Sequence, residues 1–282
     1  MATVIQGVAW AQPPTYRVTR VDGEVELSHN TVTNVTLDSR GFLWVSTIDG
    51  LNRYDGKSVK IYNASNNDST SLSNGFIHGV YEYSEEELWI STRDGGLNIL
   101  NPKTDKVEVI SSSSSNENRF PNAAINVLYR DGRGVFWLSF DGHSTGIFDR
   151  GKKIYTPARL VEKDSKFEVG SINGLLELYD GSMIVSSFTG LYYISQSEIA
   201  TFRANPTVGA TIEISVIILS KGLQKPNTSD LYLDQELNLW IREVNEGFRK
   251  VGKQELPPHV LKSISKGKKG SASKGMLIES DE

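Results

Sequence analysis

The groups in this 282-residue chain best suited to moving a proton near neutral pH are four histidines, His29, His78, His143 and His259. His29 and His143 fall in connections and turns that, with those of the carboxylates Asp49 and Asp141, strand reversal would put on one face. A histidine–carboxylate acid/base pair, as in a polysaccharide lyase or hydrolase, is therefore one chemistry to weigh. The four histidines are scattered, however, and none stands at the i, i+4 or paired spacing that marks a metal site. With no cysteine, the chain has no thiolate ligand, no cysteine nucleophile and no disulfide. Asp38 and Asp131 each precede a glycine by three residues, and such turns are ordinarily closed by the carboxylate accepting hydrogen bonds from its own backbone. Nothing in the sequence calls for a cofactor or a bound metal.

Other chemistry-bearing residues recur, and their recurrence defines the elements that hold them. Gly41-Phe-Leu-Trp-Val-Ser-Thr-Ile-Asp-Gly-Leu-Asn-Arg-Tyr54, Glu87-Leu-Trp-Ile-Ser-Thr-Arg-Asp-Gly-Gly-Leu-Asn-Ile-Leu100 and Val135-Phe-Trp-Leu-Ser-Phe-Asp-Gly-His-Ser-Thr-Gly-Ile-Phe148 are versions of one pattern. Trp44 to Trp89 is 45 residues and Trp89 to Trp137 is 48. The phase continues through Ile184 to Trp240, with Ile278 in the tryptophan's place near the end. The 56 residues from Ile184 to Trp240 exceed the period and place an insertion near residues 220–230. A period of about 40 to 50 residues, made of short runs rich in Val, Ile, Tyr and Trp and broken by Asp-Gly and Asn-Gly pairs, predicts blades of four antiparallel strands. The fold class is all-β, a β-propeller of four-stranded blades with five full blades plus a partial sixth. The blades fall at about residues 27–71, 72–119, 120–168, 169–209 and 210–258, and an incomplete sixth at 259–282.

Residues 12–26 read as an orphan outer strand, the kind that completes a last blade in a closed ring. Without that blade, the chain reads as a piece of a longer protein. Residues 1–11 end in the small-x-small pattern Ala9-Trp-Ala11 and read as a leader remnant or an irregular terminus, which points to a periplasmic or extracellular location. Hydrophobic content of 38% with 25 glycines fits a packed β body, and a net charge of −4 supplies no basic field for nucleic acid. No stretch has the roughly 20 apolar residues of a membrane span.

The units resemble the two-component regulator propeller repeat. Its pattern runs Leu-Ser-x-Asn-x-Val, then Asp-x-x-Gly-x-hydrophobic-Trp, then Gly-Leu-Asn-x-Tyr-Asp, and residues 27–55 follow it nearly throughout. The second unit keeps Leu72-Ser-Asn74, Trp89 and Gly96-Leu-Asn98, whereas later units drift. The resemblance implies the periplasmic sensor region of a hybrid two-component or diguanylate cyclase-type regulator. No output-module motif follows residue 258, so it implies a sensory ectodomain and not a signalling enzyme.

If the repeated tryptophans pack blade against blade, recognition falls to residues that differ between units. Strand reversal puts the connections between blades and the turns between second and third strands at one end of the propeller. That end carries the candidate ligand-binding set His29, Asn30, Asp49, Asn74, Arg93, Asp94, Asn122, Asp141, His143 and Phe188. Amides, a guanidinium, carboxylates and an aromatic suit a small polar or carbohydrate ligand, and a partner protein on the same surface is the alternative. A homodimer is compatible with either.

Overall fold

The computed structural model describes residues 26–64, 69–111, 120, 124–142, 144–170, 172–219, 228–234, 236–243 and 247–267. The first unit is an antiparallel sheet of β1 (Val32–Leu37), β2 (Leu43–Thr47), β3 (Gly50–Tyr54) and β4 (Val59–Tyr62), and the second repeats it with β5 (Ile77–Ser84), β6 (Glu87–Thr92), β7 (Leu97–Leu100) and β8 (Val107–Ile110). The third contains β9 (Ile125–Arg130), β10 (Phe136–Phe140), β11 (Thr145–Asp149) and the long β12 (Ile154–Glu162), with the short β13 (Glu168–Val169) folded back on β12. The fourth has β14 (Gly174–Glu177), β15 (Met183–Ser187), β16 (Gly190–Ile194), helix α1 (Gln196–Ala204) and β17 (Ala210–Leu219). The fifth shows β18 (Thr228–Leu233), β19 (Leu239–Glu243) and β20 (Gly247–Lys250), followed by helix α2 (Pro258–Ile264).

First strands of successive units lie side by side, β1 against β5, β5 against β9, β9 against β14 and β14 against β18. This is the arrangement of a β-propeller. Each hydrophobic cluster spans a junction. Trp44 packs with Leu88, Ile90 and Leu100 of the second unit, Trp89 with Phe136, Leu138 and Phe148 of the third, and Trp137 with Met183, Val185 and Ile194 of the fourth. Ile184 does the same with Leu231, Leu239 and Ile241 of the fifth. Large flat side chains recur at this position because the wedge between two twisted sheets needs volume.

Three expectations about element placement are corrected. The repeat period places residues 210–219 in a fifth blade beginning at 210, whereas β17 pairs with β16 and belongs to the fourth unit. Nine residues of extra length before Trp240 are accounted for by α1, inserted between β16 and β17, with Ile199 and Phe202 buried beside Trp137. The local sequence supports that helix, since the Ser195 side chain accepts a hydrogen bond from Glu198 N. Where the incomplete sixth blade was placed to begin, α2 forms instead: Pro258 opens the helix, and Val260 and Ile264, four apart, pack on the core of the fourth and fifth units. Residues 268–282, including Ile278, lie outside the described residues, as does the orphan strand apart from Glu26.

The third and fourth units are also joined in a way the repeat does not announce. β12 and β17, the last strands of their units, pair in parallel over Ala158–Glu162 and Ala210–Ile214, so the two units form one nine-stranded sheet.

Candidate functional site

The residues that recur prove to be fasteners. Asp38 Oδ1 accepts from the backbone of Arg40 and Phe42 at 3.0 and 2.9 Å, and its Oδ2 accepts from the Trp44 indole at 2.9 Å. Asp131 repeats this with Arg133, Val135 and Trp137, and Asp234 with Glu236, Asn238 and Trp240. In the second unit, which lacks the aspartate, Glu87 takes the Trp89 indole at 2.6 Å. The serine of Leu-Ser and the asparagine of Leu-Asn form a second fastener. Asn52 and Asn98, both fully buried, accept from the backbone N of Ser28 and Ser73 at 2.8 Å and donate to the same serine hydroxyls at 2.9 and 2.7 Å. This clamp pins each inter-unit connection to the third strand of the blade it enters.

These clamps fix the end of the propeller that holds the candidate residues. The β2–β3 turn is tied to the connection entering the second unit by Gly50 N donating to Gly75 O at 2.7 Å. Gly50 has φ +132°, and a Cβ there would fall 2.6 Å from Asn63 Oδ1, so only glycine fits. Asp49 is exposed beside Gly75, with its backbone N on Thr47 Oγ1. Arg93 N donates to Phe76 O at 3.0 Å and Asp141 N to Ala124 O at 3.1 Å, which sets the β6–β7 and β10–β11 turns at the same end.

Of the ten candidate residues, the structure groups Asp49, Arg93, Asp94 and Asp141 on this end as exposed turn residues. His29 and Asn74 are used locally: His29 Nδ1 accepts from Thr31 N at 2.9 Å and Asn74 Oδ1 from Phe76 N at 2.8 Å. Asn30 is exposed ahead of β1, and Phe188 is exposed in the β15–β16 turn. Asn122 and His143 lie outside the described residues.

His78 is the residue that reasoning from turns passed over. In β5 the pairing slips between Ile77 and Gly79, so His78 is an extra residue in a β-bulge. The same slip leaves Thr33 extra in β1 and Asn126 in β9, so three successive first strands carry a polar bulge residue at one level. A bulge re-aims a side chain that alternation would send elsewhere. The half-buried His78 imidazole lies 5.2 Å from the Phe76 ring, and the Arg93 guanidinium lies over that same ring at 5.2 Å. Burial, and then the Arg93 charge, push the His78 pKa below the ordinary histidine range against the opposing pull of Asp141 and Asp94. The sequence signal available was a polar residue after an apolar one at equivalent positions, Val32-Thr33, Ile77-His78 and Ile125-Asn126. Only the strand register gave it meaning.

Beside Asp141, a cleft of ≈ 440 Å³ opens between the β10–β11 turn and the β12–β13 hairpin, lined by Gly142, Ser144, Ala158, Glu168, Val169 and Gly170. Glu168 is held by Arg159 Nη2 at 2.8 Å, and Ser144 by the Tyr155 hydroxyl. The volume lies in the range of small-molecule sites. The opposite end of the propeller is occupied differently. Arg203 of α1 pairs with Asp131 in the β9–β10 turn, and Lys266, just beyond α2, pairs with Asp180 in the β14–β15 turn at 2.9 Å.

Fold and repeat together define the class: a nearly all-β propeller whose units are fastened by Asp–Trp and Ser–Asn pairs, with Asp49, Arg93, Asp94 and Asp141 in turns at one end. Residues 26–49 match the profile of the family described as "Two component regulator propeller". A 55-residue stretch is 47% identical to histidine kinase P4 of Formosa agariphila, covering 20% of this chain and 4% of that protein. Among solved structures, the fold is similar to the extracellular domain of a protein described as a hybrid two-component system of B. thetaiotaomicron. That likeness has a TM-score of 0.63 at 19% identity, over 82% of this chain and 30% of the other. It is also similar to the WD40 β-propeller domain of Doa1, with a TM-score of 0.52 at 10% identity over 80% of this chain and 66% of the other. The chain thus spans less than a third of the first two of these relatives.

Proposed function

We propose that this chain is a non-catalytic sensory region of a bacterial signal-transduction regulator, placed in the periplasm or outside the cell. In this reading it binds a small polar or saccharide ligand at the end of the propeller carrying Asp49, His78, Arg93, Asp94 and Asp141. The five units are five successive blades, each serving as a wall of that site. The observation that carries the proposal is the division of labour among side chains. Residues shared by the units are used up in fastening blades, whereas His78 and Arg93 have no ion pair among the described residues and stand on the same end as the ≈ 440 Å³ cleft. The regulator repeat at residues 26–49 and the likeness to regulator ectodomains supply the signalling context.

Sensing requires only that the ligand bind one arrangement of the receptor better than another. A thermal-shift screen over glycans and polar metabolites tests the reading. A ligand at 100 times its dissociation constant should add about 2.7 kcal/mol of stability. If no ligand shifts the melting temperature and a protein partner is retained in pull-down, the same end is a protein-docking surface instead.

A further inference from the structure

We infer that Asn74 is a site of spontaneous covalent modification: its side-chain amide is lost to attack by the Gly75 nitrogen, which leaves an aspartate or isoaspartate at the end of the propeller that carries Asp49 and Arg93. The inference stands whether or not that end binds a ligand.

The chain holds two Asn-Gly pairs, Asn74-Gly75 and Asn173-Gly174. In such a pair the glycine nitrogen can attack the asparagine side-chain carbonyl, because no Cβ on the following residue hinders closure of the five-membered ring. The bond from nitrogen to Cγ forms, the bond from Cγ to the side-chain nitrogen breaks, and the glycine N–H proton leaves with that nitrogen as ammonia. Water then opens either carbonyl of the resulting succinimide and gives aspartate or isoaspartate. No oxidant, reductant or cofactor takes part.

The fold sets the two pairs apart. Asn74 and Gly75 lie in the irregular connection between the first two units, both partly exposed. Asn74 Oδ1 accepts from Phe76 N at 2.8 Å, whereas Asn74 Nδ2 and Gly75 N form no hydrogen bond among the described residues. The Phe76 N–H thus points at the oxygen that gathers negative charge as the glycine nitrogen adds, and a donor already in place there lowers the barrier. The electrophile is polarised, the leaving group is free, and the nucleophile has no competing bond. The backbone on either side is pinned: Ser73 N donates to Asn98 Oδ1 at 2.8 Å, Gly75 O accepts from Gly50 N at 2.7 Å, and Phe76 O accepts from Arg93 N at 3.0 Å. Reacting groups held in one arrangement react faster than groups that must find it.

Asn173-Gly174 is closed to the same reaction. Asn173 N donates to Ser186 O at 2.8 Å, Gly174 is a buried, paired residue of β14, and Asn173 Nδ2 is itself buried. Ring closure there would break the ladder between β14 and β15. Four aspartates that precede a glycine are restrained as well, since Gly50 N donates to Gly75 O, Gly95 N to Thr92 Oγ1, Gly132 N to Glu177 and Gly181 N to Leu178 O.

The product alters this end of the propeller in two ways. It adds a negative charge to the connection that touches Asp49, for a Cβ on Gly75 would fall 3.0 Å from Asp49 Oδ1. Isoaspartate also lengthens the backbone by one carbon between pinned points, which strains the tie from Gly50 to Gly75.

Peptide mapping by mass spectrometry of the whole folded chain aged at neutral pH, and of the chain aged in concentrated urea, tests the inference. In urea both asparagines should convert at similar rates. In the folded protein Asn74 should convert as fast as in urea or faster, and at least about tenfold faster than Asn173, a difference of about 1.4 kcal/mol in barrier. The product peptide should be one mass unit heavier and separate into aspartate and isoaspartate forms. G75A should slow conversion at Asn74 and leave Asn173 unchanged. Melting curves check that this variant is folded, and N74Q, whose longer side chain cannot close the same ring, replaces it if it is not. Slower conversion of Asn74 in the folded protein than in urea, or similar folded-state rates at the two asparagines, overturns the inference.

Discussion

At the scale of single residues, the tryptophan and its acceptor behave as one unit. Asp38 and Trp44, Asp131 and Trp137, and Asp234 and Trp240 are each six residues apart and joined by the indole N–H. In the fourth unit, Ile184 replaces the indole and Leu178 stands where the aspartate would be, with the same turn closed by Gly181 N on Leu178 O at 2.8 Å. When the donor is lost, a buried carboxylate would have no reason to remain. In the fifth unit, the glycine of Asp-x-x-Gly is Leu237, which takes φ +64° to keep the turn. Removing the acceptor should be expensive. Asp38→Ala is expected to lose about 2–3 kcal/mol in urea unfolding, through an orphaned indole and two orphaned amides. Asp131→Ala should lose more, about 3–5 kcal/mol, because the nearly buried Arg203 would also lose its nearer carboxylate and keep only Glu177, at 3.7 Å. The pH response has a definite sign. Burial raises the Asp38 carboxyl, but hydrogen bonds from Trp44, Phe42 and Arg40 together hold it below the usual range. Asp180 is held at about 2, with burial again opposing bonds from Ser182 and Lys266. For His78, burial and Arg93 also depress the folded value. All three groups bind protons more readily when unfolded, so each contributes stability that fades as pH falls. Melting temperature should therefore decline first below about pH 6.5, through His78. A second decline should come below about pH 4, through the carboxylates. His78→Gln should remove the first step only.

Elements are coupled across blade boundaries by small repeated latches. Glu82 at the end of β5 accepts from the Ser39 backbone and hydroxyl at 2.8 and 2.7 Å, and Glu177 at the end of β14 accepts from Gly132 N. Both are carboxylates of one blade closing the first turn of the blade before it. The largest coupling is apolar. Trp89 stacks on Phe136 at 4.0 Å and is fully buried, so Trp89→Ala should cost about 3–5 kcal/mol and loosen the second blade from the third. The parallel pairing of β12 with β17 merges two units into one sheet, as no other pair of described units does. Amide exchange should accordingly be slower in Ala158–Glu162 and Ala210–Ile214 than in β4, whose outer edge is unpaired among the described strands. Equal exchange in the two places would show that the pairing adds no local stability.

For the whole molecule, the two ends of the propeller differ in what fills them. Helices α1 and α2 and their ion pairs occupy the end of the first turns, and the end with the inter-unit connections exposes Asp49, Arg93 and Asp94. Ligand response should follow that asymmetry. Substitutions at Arg93 or Asp141 should change a ligand-induced thermal shift without changing the melting temperature of the free protein by more than about 2–4 °C. Substitutions at Arg203 should do the reverse, lowering intrinsic stability and leaving the shift intact.

The sequence by itself determined the repeat, the strand class and the blade packing, because the physical demand is local and periodic. A tryptophan every 45 to 48 residues, flanked by Asp-x-x-Gly and Leu-Asn, specifies a turn, a buried strand and a clamp within a few residues of itself. It also pointed to the end of the propeller where Asp49, Arg93, Asp94 and Asp141 lie, since strand reversal fixes which turns share an end. It did not reveal α1 as the inserted element or assign β17 to the fourth blade, because a strand's membership is set by its partner and not by its own residues. Nor did it single out His78, which reads as one more residue in a strand. The one-residue slip opposite Ser91 and Thr92 is what puts that imidazole on the Phe76 ring beside Arg93, and register is a property of two chains segments in contact.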